Sequence, residues 1–130
     1  MMIENALNIE AALGCKIKDL TQKIDSSPNF LKLKVLENWE NEDDITIFET
    51  ININTYLKGE IYIINDASFI HNVIFETRDN EISDFITLFP TDKYRGGIFN
   101  GDVYFISLSS MNLVYFHHNG IWFLYKLPLI

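Results

Sequence analysis

Three histidines, His71, His117 and His118, are the side chains of this 130-residue chain best suited to hold a metal. A zinc site needs three or four convergent ligands. His117 and His118 are neighbours in a segment of β-strand composition, and neighbours on a strand point to opposite faces. On that reading they cannot both reach one ion, and no cysteine pair or His-Glu-x-x-His run compensates. Asp102, Ser107, Ser109 and Ser110 supply, with the histidines, the letters of a hydrolytic triad. They lack the Gly-x-Ser-x-Gly elbow that exposes a nucleophile at a strand-to-helix turn. "GGIFNG" (96–101) has neither the dinucleotide nor the P-loop spacing, and a strand follows it. Cys15, the only cysteine, sits among apolar residues and suits a small core filler. No catalytic residue, metal or cofactor is expected, and the chain is not read as an enzyme.

The acidic residues say more. Glu37, Glu40, Glu42, Asp43, Asp44 and Glu49 fall within 13 residues, and no Lys or Arg occurs between Val35 and Leu57. A solvated turn would account for them. Six like charges beside Trp39 would also steer a basic partner, with the tryptophan as an anchor. The formal net charge of −8, from 18 acids and 10 bases, argues against nucleic-acid or anionic-membrane binding.

These residues have to be positioned by elements that the patterning outlines. Leu13, Ile17, Leu20 and Ile24 form one stripe of an amphipathic helix, which Ile3, Ala6 and Leu7 extend upstream. Gly14 makes residues 3–24 either one helix or two. In "FLKLKVLENW" (30–39) Leu31, Leu33 and Val35 alternate with lysines, which favours a half-buried strand. A helix with Leu31, Val35 and Trp39 on one side is the other reading. "ENEDD" is expected to be a turn, and "ITIFETINI" (45–53) a strand from its β-branched composition. Two more strands, "GEIYIIND" and "SFIHNVIFET", would meet at a turn of Asn65, Asp66 and Ala67. "DNEISDFITLF" suits a short helix capped by Asn80 or Ser83 and stopped by Pro90. "TDKYRGG" is expected to be a loop. Strands at 102–108, 112–117 and 121–127 complete the order, with Asn-Gly at 119–120 as a hairpin turn.

Nine of the 18 aromatics lie between Tyr94 and Tyr125. With two-residue loops at Ser110-Met111 and Asn119-Gly120, Phe105, Phe116 and Phe123 would share a core face. Tyr104, His117 and Trp122 would line the other, ahead of Ile106, Tyr115 and Leu124. That second face is apolar in body and polar at its tips. Either the amino-terminal helix covers it or a partner does. A one-residue change of register would exchange the faces.

The expected fold is therefore α+β: one domain spanning 1–130, with an amino-terminal helix packed on a mostly antiparallel sheet of about six strands. One short helix is inserted. A lone cysteine fits a reducing compartment. Neither a basic leader nor an apolar run near the roughly 18 residues that span a bilayer is evident. The expected location is the cytoplasm. The Ile- and Asn-rich, Arg- and Ala-poor composition suggests an A+T-rich, bacterial or mobile-element source.

Residues 96–120 resemble the late strands of SUKH-type bacterial immunity proteins, relatives of yeast cell-wall regulators of the Smi and Knr type. The shared features are a glycine-rich entry, Gly101-Asp102-Val103-Tyr104-Phe105 as the "GD-x-Y/F" strand start, and Val114-Tyr115-Phe116 as the following strand. The resemblance covers about a fifth of the chain. A broader likeness is to the small, acidic, cysteine-poor immunity proteins of polymorphic and contact-dependent toxin systems. What this resemblance implies is a non-catalytic protein that binds and neutralises one cognate toxin, often a nuclease with a basic active site. The expected contact residues are Glu37, Trp39, Glu40, Glu42, Asp43, Asp44 and Glu49, with the Tyr104, His117 and Trp122 face. The alternative is a small-ligand module, with an apolar pocket between helix and sheet.

Overall fold

The computed structural model describes residues 3–130, with side chains from Ala6 onward. Its centre is a six-stranded sheet: β1 (Phe30–Val35), β2 (Glu60–Asn65), β3 (Phe75–Arg78), β4 (Val103–Ser107), β5 (Asn112–His117) and β6 (Ile121–Lys126). The spatial order is β1-β6-β5-β4-β2-β3, and every neighbouring pair is antiparallel. The α+β expectation holds, with more helix than the patterning suggested.

The amino-terminal stripe is split at Gly14. Helix α1 (Ile3–Leu13) ends there, because Gly14 takes a left-handed φ of 77°. A turn of 3-10 helix leads into α2 (Leu20–Ser26). Leu13, Ile17, Leu20 and Ile24 are all buried, so the stripe survives the break. Upstream, Ala6 and Ile9 face the core and Leu7 is 72% exposed, which corrects its place in the stripe. The Ile3 side chain lies outside the described residues.

Three expectations fail, each for a local reason. Residues 45–53 are not a strand: α3 spans Asp44–Ile51. The Asp43 carboxylate caps it by accepting from the Thr46 N–H at 2.9 Å, and Asn52 ends it in the left-handed region. Ile47, Phe48 and Ile51 then share its buried side, and that burial outweighs the mild β preference of isoleucine and threonine. The segment after β2 does not turn directly into a strand either. Asn65 and Ser68 form a reciprocal capping box, starting α4 (Asp66–His71), which ends at left-handed Asn72. Within the expected loop at 91–97, Thr91–Tyr94 make a single helical turn, α6. The short helix after β3 is as anticipated: α5 spans Ile82–Thr87, although Glu81 precedes it without a side-chain cap.

The β5–β6 connection decides which aromatic faces where. His117 pairs with Ile121, so the loop has three residues, His118 to Gly120, rather than two. Gly120 closes it at φ 82°, donating its N–H to the His117 carbonyl at 2.9 Å. This register puts Phe116 opposite Trp122 and Tyr115 opposite Phe123. The β4–β5 loop is also longer than expected, with Ser107 opposite Asn112. That slip of two leaves the faces unchanged. Trp122 therefore belongs with Phe105 and Phe116, while Phe123 lies with Tyr104 and Tyr115, the reverse of the expected sorting.

Both faces are covered. On one, Val103, Phe105, Val114, Phe116, Trp122 and Leu124 pack against Ile47, Phe48 and Ile51 of α3 and Ile82 and Ile86 of α5. On the other, Tyr104, Ile106, Leu113 and Tyr115 pack against Ile9, Leu13, Leu20 and Ile24, with Leu127 and Leu129 beside them. Among the described residues, no helix is long and apolar enough to cross a membrane.

Candidate functional site

Only part of the expected acidic surface is free to meet a partner. Glu37, Glu40, Glu42 and Asp43 are exposed on the segment between β1 and α3, and Glu49 is exposed on α3. Asp44 turns inward, where it is half-buried and accepts from the Ile98 N–H at 2.8 Å. Burial pushes its carboxyl above the usual range, against the pull of the Ile98 and Phe99 N–H groups, and Asp43 raises it further. Gly97 lies so close to this carboxylate that a Cβ there would have no room. Asp43, fully exposed, is held below its ordinary range chiefly by its bonds to Thr46. Asp43 and Asp44 thus build the start of α3 and anchor it to the 97–99 loop.

Trp39 is not an exposed anchor either. It is half-buried beside the core, meeting Phe116 edge-on at 5.4 Å, and its indole fills the space over Gly120. Tyr104 and Trp122 are both 2% exposed and lie on opposite faces of the sheet. Tyr104 stacks on Tyr115 at 4.7 Å and shares a 2.9 Å hydrogen bond with the Thr21 hydroxyl. The amino-terminal helices therefore cover the middle of the tyrosine face. The sheet itself separates Tyr104 and Tyr115 from Trp122.

What the sequence reading missed is an exposed edge. Among the described residues, strand β1 pairs only with β6, and it is exposed along its whole length. Phe30, Leu31, Leu33 and Val35 are 43%, 54%, 50% and 61% exposed. Phe30, Leu33 and Val35 pair with Tyr125, Phe123 and Ile121 and so extend the tyrosine face. The helices that cover the middle of that face leave these residues open. The other side of β1 carries the lysines, with the Lys32 ammonium 4.5 Å above the Tyr56 ring. A cleft of about 250 Å³ runs from Val35 and Leu36 past Trp39 to Thr46 and Thr50 of α3, bordered by Glu37 and Glu42. Equal alternation of Leu and Lys was the available signal, but it could not tell a half-buried strand from an edge strand.

A second cluster stands at the far end of β4 and β5. Val103 pairs with Phe116, which places Asp102 beside His117. His118 lies in the turn, not on the strand, so its ring is free to swing back. Its backbone N–H donates to Asp102 Oδ1 at 2.8 Å, and its Nδ1 lies 2.8 Å from the same oxygen. The Tyr115 hydroxyl donates to Asp102 Oδ2 at 3.1 Å, and the Asn119 N–H donates to His117 Nδ1 at 3.1 Å. The two imidazoles are 4.1 Å apart, centre to centre. The premise that adjacent histidines must diverge is thus overturned by the three-residue turn.

Burial alone would raise the Asp102 carboxyl, but the His118 ring and N–H, the Tyr115 hydroxyl and nearby His117 hold it below its ordinary range. Asp66, at the start of α4, is pushed up by burial and by the charge of Asp102, while His118 opposes that. The serines take no part: Ser107 is at the other end of β4, where its hydroxyl donates to the Lys58 carbonyl at 2.7 Å. His71 instead meets the Tyr94 ring at 5.2 Å. Cys15 is partly buried, and burial followed by Asp19 raises its thiol, which makes it a poorer nucleophile.

No protein family model, curated protein or solved structure matches this chain.

Proposed function

We propose that this chain is a non-catalytic immunity protein that binds and neutralises a cognate bacterial toxin. The observation that carries the reading is the open β1 edge, with Phe30, Leu31, Leu33 and Val35 facing water. Natural sheets usually blunt or cover such an edge, because it offers unpaired N–H and C=O groups to any extended chain. In β1 two lysines and an irregularity in register between Phe30 and Lys32 blunt the edge in part, but its apolar residues remain exposed. A partner strand added to β1 would gain main-chain hydrogen bonds and an apolar strip together.

The acidic segment supports the same reading. Glu37, Glu40, Glu42 and Asp43 stand immediately after β1 and would steer a basic surface toward the edge. A nuclease toxin, whose active site must attract phosphate, has the complementary charge. The resemblance of residues 96–120 to SUKH-type immunity proteins points the same way. A small apolar ligand is the second reading. Its place would be an open cleft of about 360 Å³ where Ile24 and Asp25 of α2 border Tyr115, His117 and Phe123.

The test uses the carboxy-terminal domain encoded by the reading frame directly upstream in the source genome. Binding is expected in vitro, together with relief of that domain's toxicity. Reversal of Glu37, Glu40 and Glu42 to Lys should slow association about tenfold and flatten its salt dependence. Leu33→Lys should accelerate dissociation instead. An upstream product that does not bind, or rates untouched by both variants, would overturn the proposal.

A further inference from the structure

We propose that Asp102, His117 and His118 form a binding site for one divalent transition-metal ion of the zinc type. One ring nitrogen from each histidine and one Asp102 carboxylate oxygen all lie within 4.8 Å of one another. Tetrahedral zinc, with bonds of about 2.0–2.1 Å to N and O, places its ligand atoms about 3.3 Å apart. To admit such an ion the 2.8 Å separation of His118 Nδ1 and Asp102 Oδ1 opens by about half an ångström, and His117 releases the Asn119 N–H that its Nδ1 accepts. The His118 side chain is 60% exposed, so its ring can make that adjustment without disturbing the core.

The surroundings support the same role. Antiparallel pairing of β4 with β5 fixes where Asp102 and His117 stand, and the turn supplies His118. Tyr115 holds the second Asp102 oxygen, the outer-shell contact that orients a ligating carboxylate. Asp66 lines the same cleft as Asp102. Two imidazoles with one carboxylate select a borderline ion over calcium or magnesium, which prefer all-oxygen shells. Three protein ligands at a solvent-facing position leave the remaining coordination to water. A hydrogen bond between His118 and Asp102 alone would not require a second imidazole 4.1 Å away.

The test is titration of the untagged full chain with Co²⁺, read by its visible absorption, and with Zn²⁺, read by calorimetry. One equivalent should bind with a four- or five-coordinate Co²⁺ spectrum, and zinc should raise the melting temperature. His117→Ala and His118→Ala should each weaken binding at least about tenfold, as should Tyr115→Phe through its hold on Asp102. His71→Ala should leave it unchanged. Should His117→Ala or Tyr115→Phe fail to fold, exposed His118 still gives a decisive variant. Absence of a Co²⁺ spectrum and zinc heat, or binding that survives His118→Ala, would overturn the site.

Discussion

The indole of Trp39 occupies the space directly over Gly120, so that any Cβ at residue 120 would collide with it. Gly120 is also in the left-handed region, at φ 82°. Turn geometry and packing therefore make the same demand on one residue. Gly120→Ala should destabilise the protein by about 2 kcal/mol or more, read as a lower urea midpoint with unchanged slope. Combining it with Trp39→Ala should cost less than the sum of the two single changes, since the collision is removed.

Exposed residues on β1 should behave differently. Leu33→Lys and Val35→Lys remove little packing, and stability should change by no more than about 0.5 kcal/mol. The same changes should reduce binding of a hydrophobic dye and any self-association seen by sedimentation at rising concentration. Loss of stability comparable to a core change would show that β1 is buried in solution.

The buried tyrosines make an alkaline prediction. Burial, opposed in part by the Thr21 bond, pushes Tyr104 up to about 12, and burial raises Tyr115 as well. A folded-state pKa above the unfolded value means that stability is intact below about pH 10 and falls as pH rises toward 12. Absorbance titration should therefore show phenols that ionise late, and Tyr104→Phe should remove one of them. That variant should also lose about 1 kcal/mol with the Thr21 hydrogen bond.

Asp102 has the opposite sign. Its folded pKa is lowered, so its contribution is fully present above the ordinary aspartate value and is lost as acid titrates it below that value. Asp102→Asn should flatten the acid limb of the stability curve. Asp44, whose pKa is raised, should not share this behaviour: Asp44→Asn should steepen the decline on acidification, measured by melting temperature against pH.

Strand existence was largely legible because the period-2 pattern and the Gly-bearing turns are local signals. Helix α3 was not, because isoleucine and threonine in "ITIFETI" favour strands while the deciding contacts, with α5 and the sheet, are distant in sequence. Its caps were visible all the same: Asp43 stands three residues before Thr46, and Asn52 follows the last turn. The Asn65 and Ser68 box was equally available. The site was less legible than the fold. A single residue in the His118–Gly120 turn sent Trp122 to one face and Phe123 to the other, and freed His118 from the strand. Composition had gathered Asp43, Asp44 and Trp39 into a contact surface. The structure uses the first two to hold α3 and the third to cover Gly120.

The sheet order also bears on how the chain is made. Among the described residues, β1 is the first strand in sequence and its sheet neighbour, β6, is the last. Leu127 and Leu129, which seal the amino-terminal helices, follow β6. On a ribosome, β1 and its apolar residues must wait until Ile121–Lys126 has emerged before finding their partner. Loop closure across that distance is entropically slow. Premature arrest before Ile121 would release a nascent chain with an orphaned sticky strand, and such a chain is a ready substrate for chaperones and proteases.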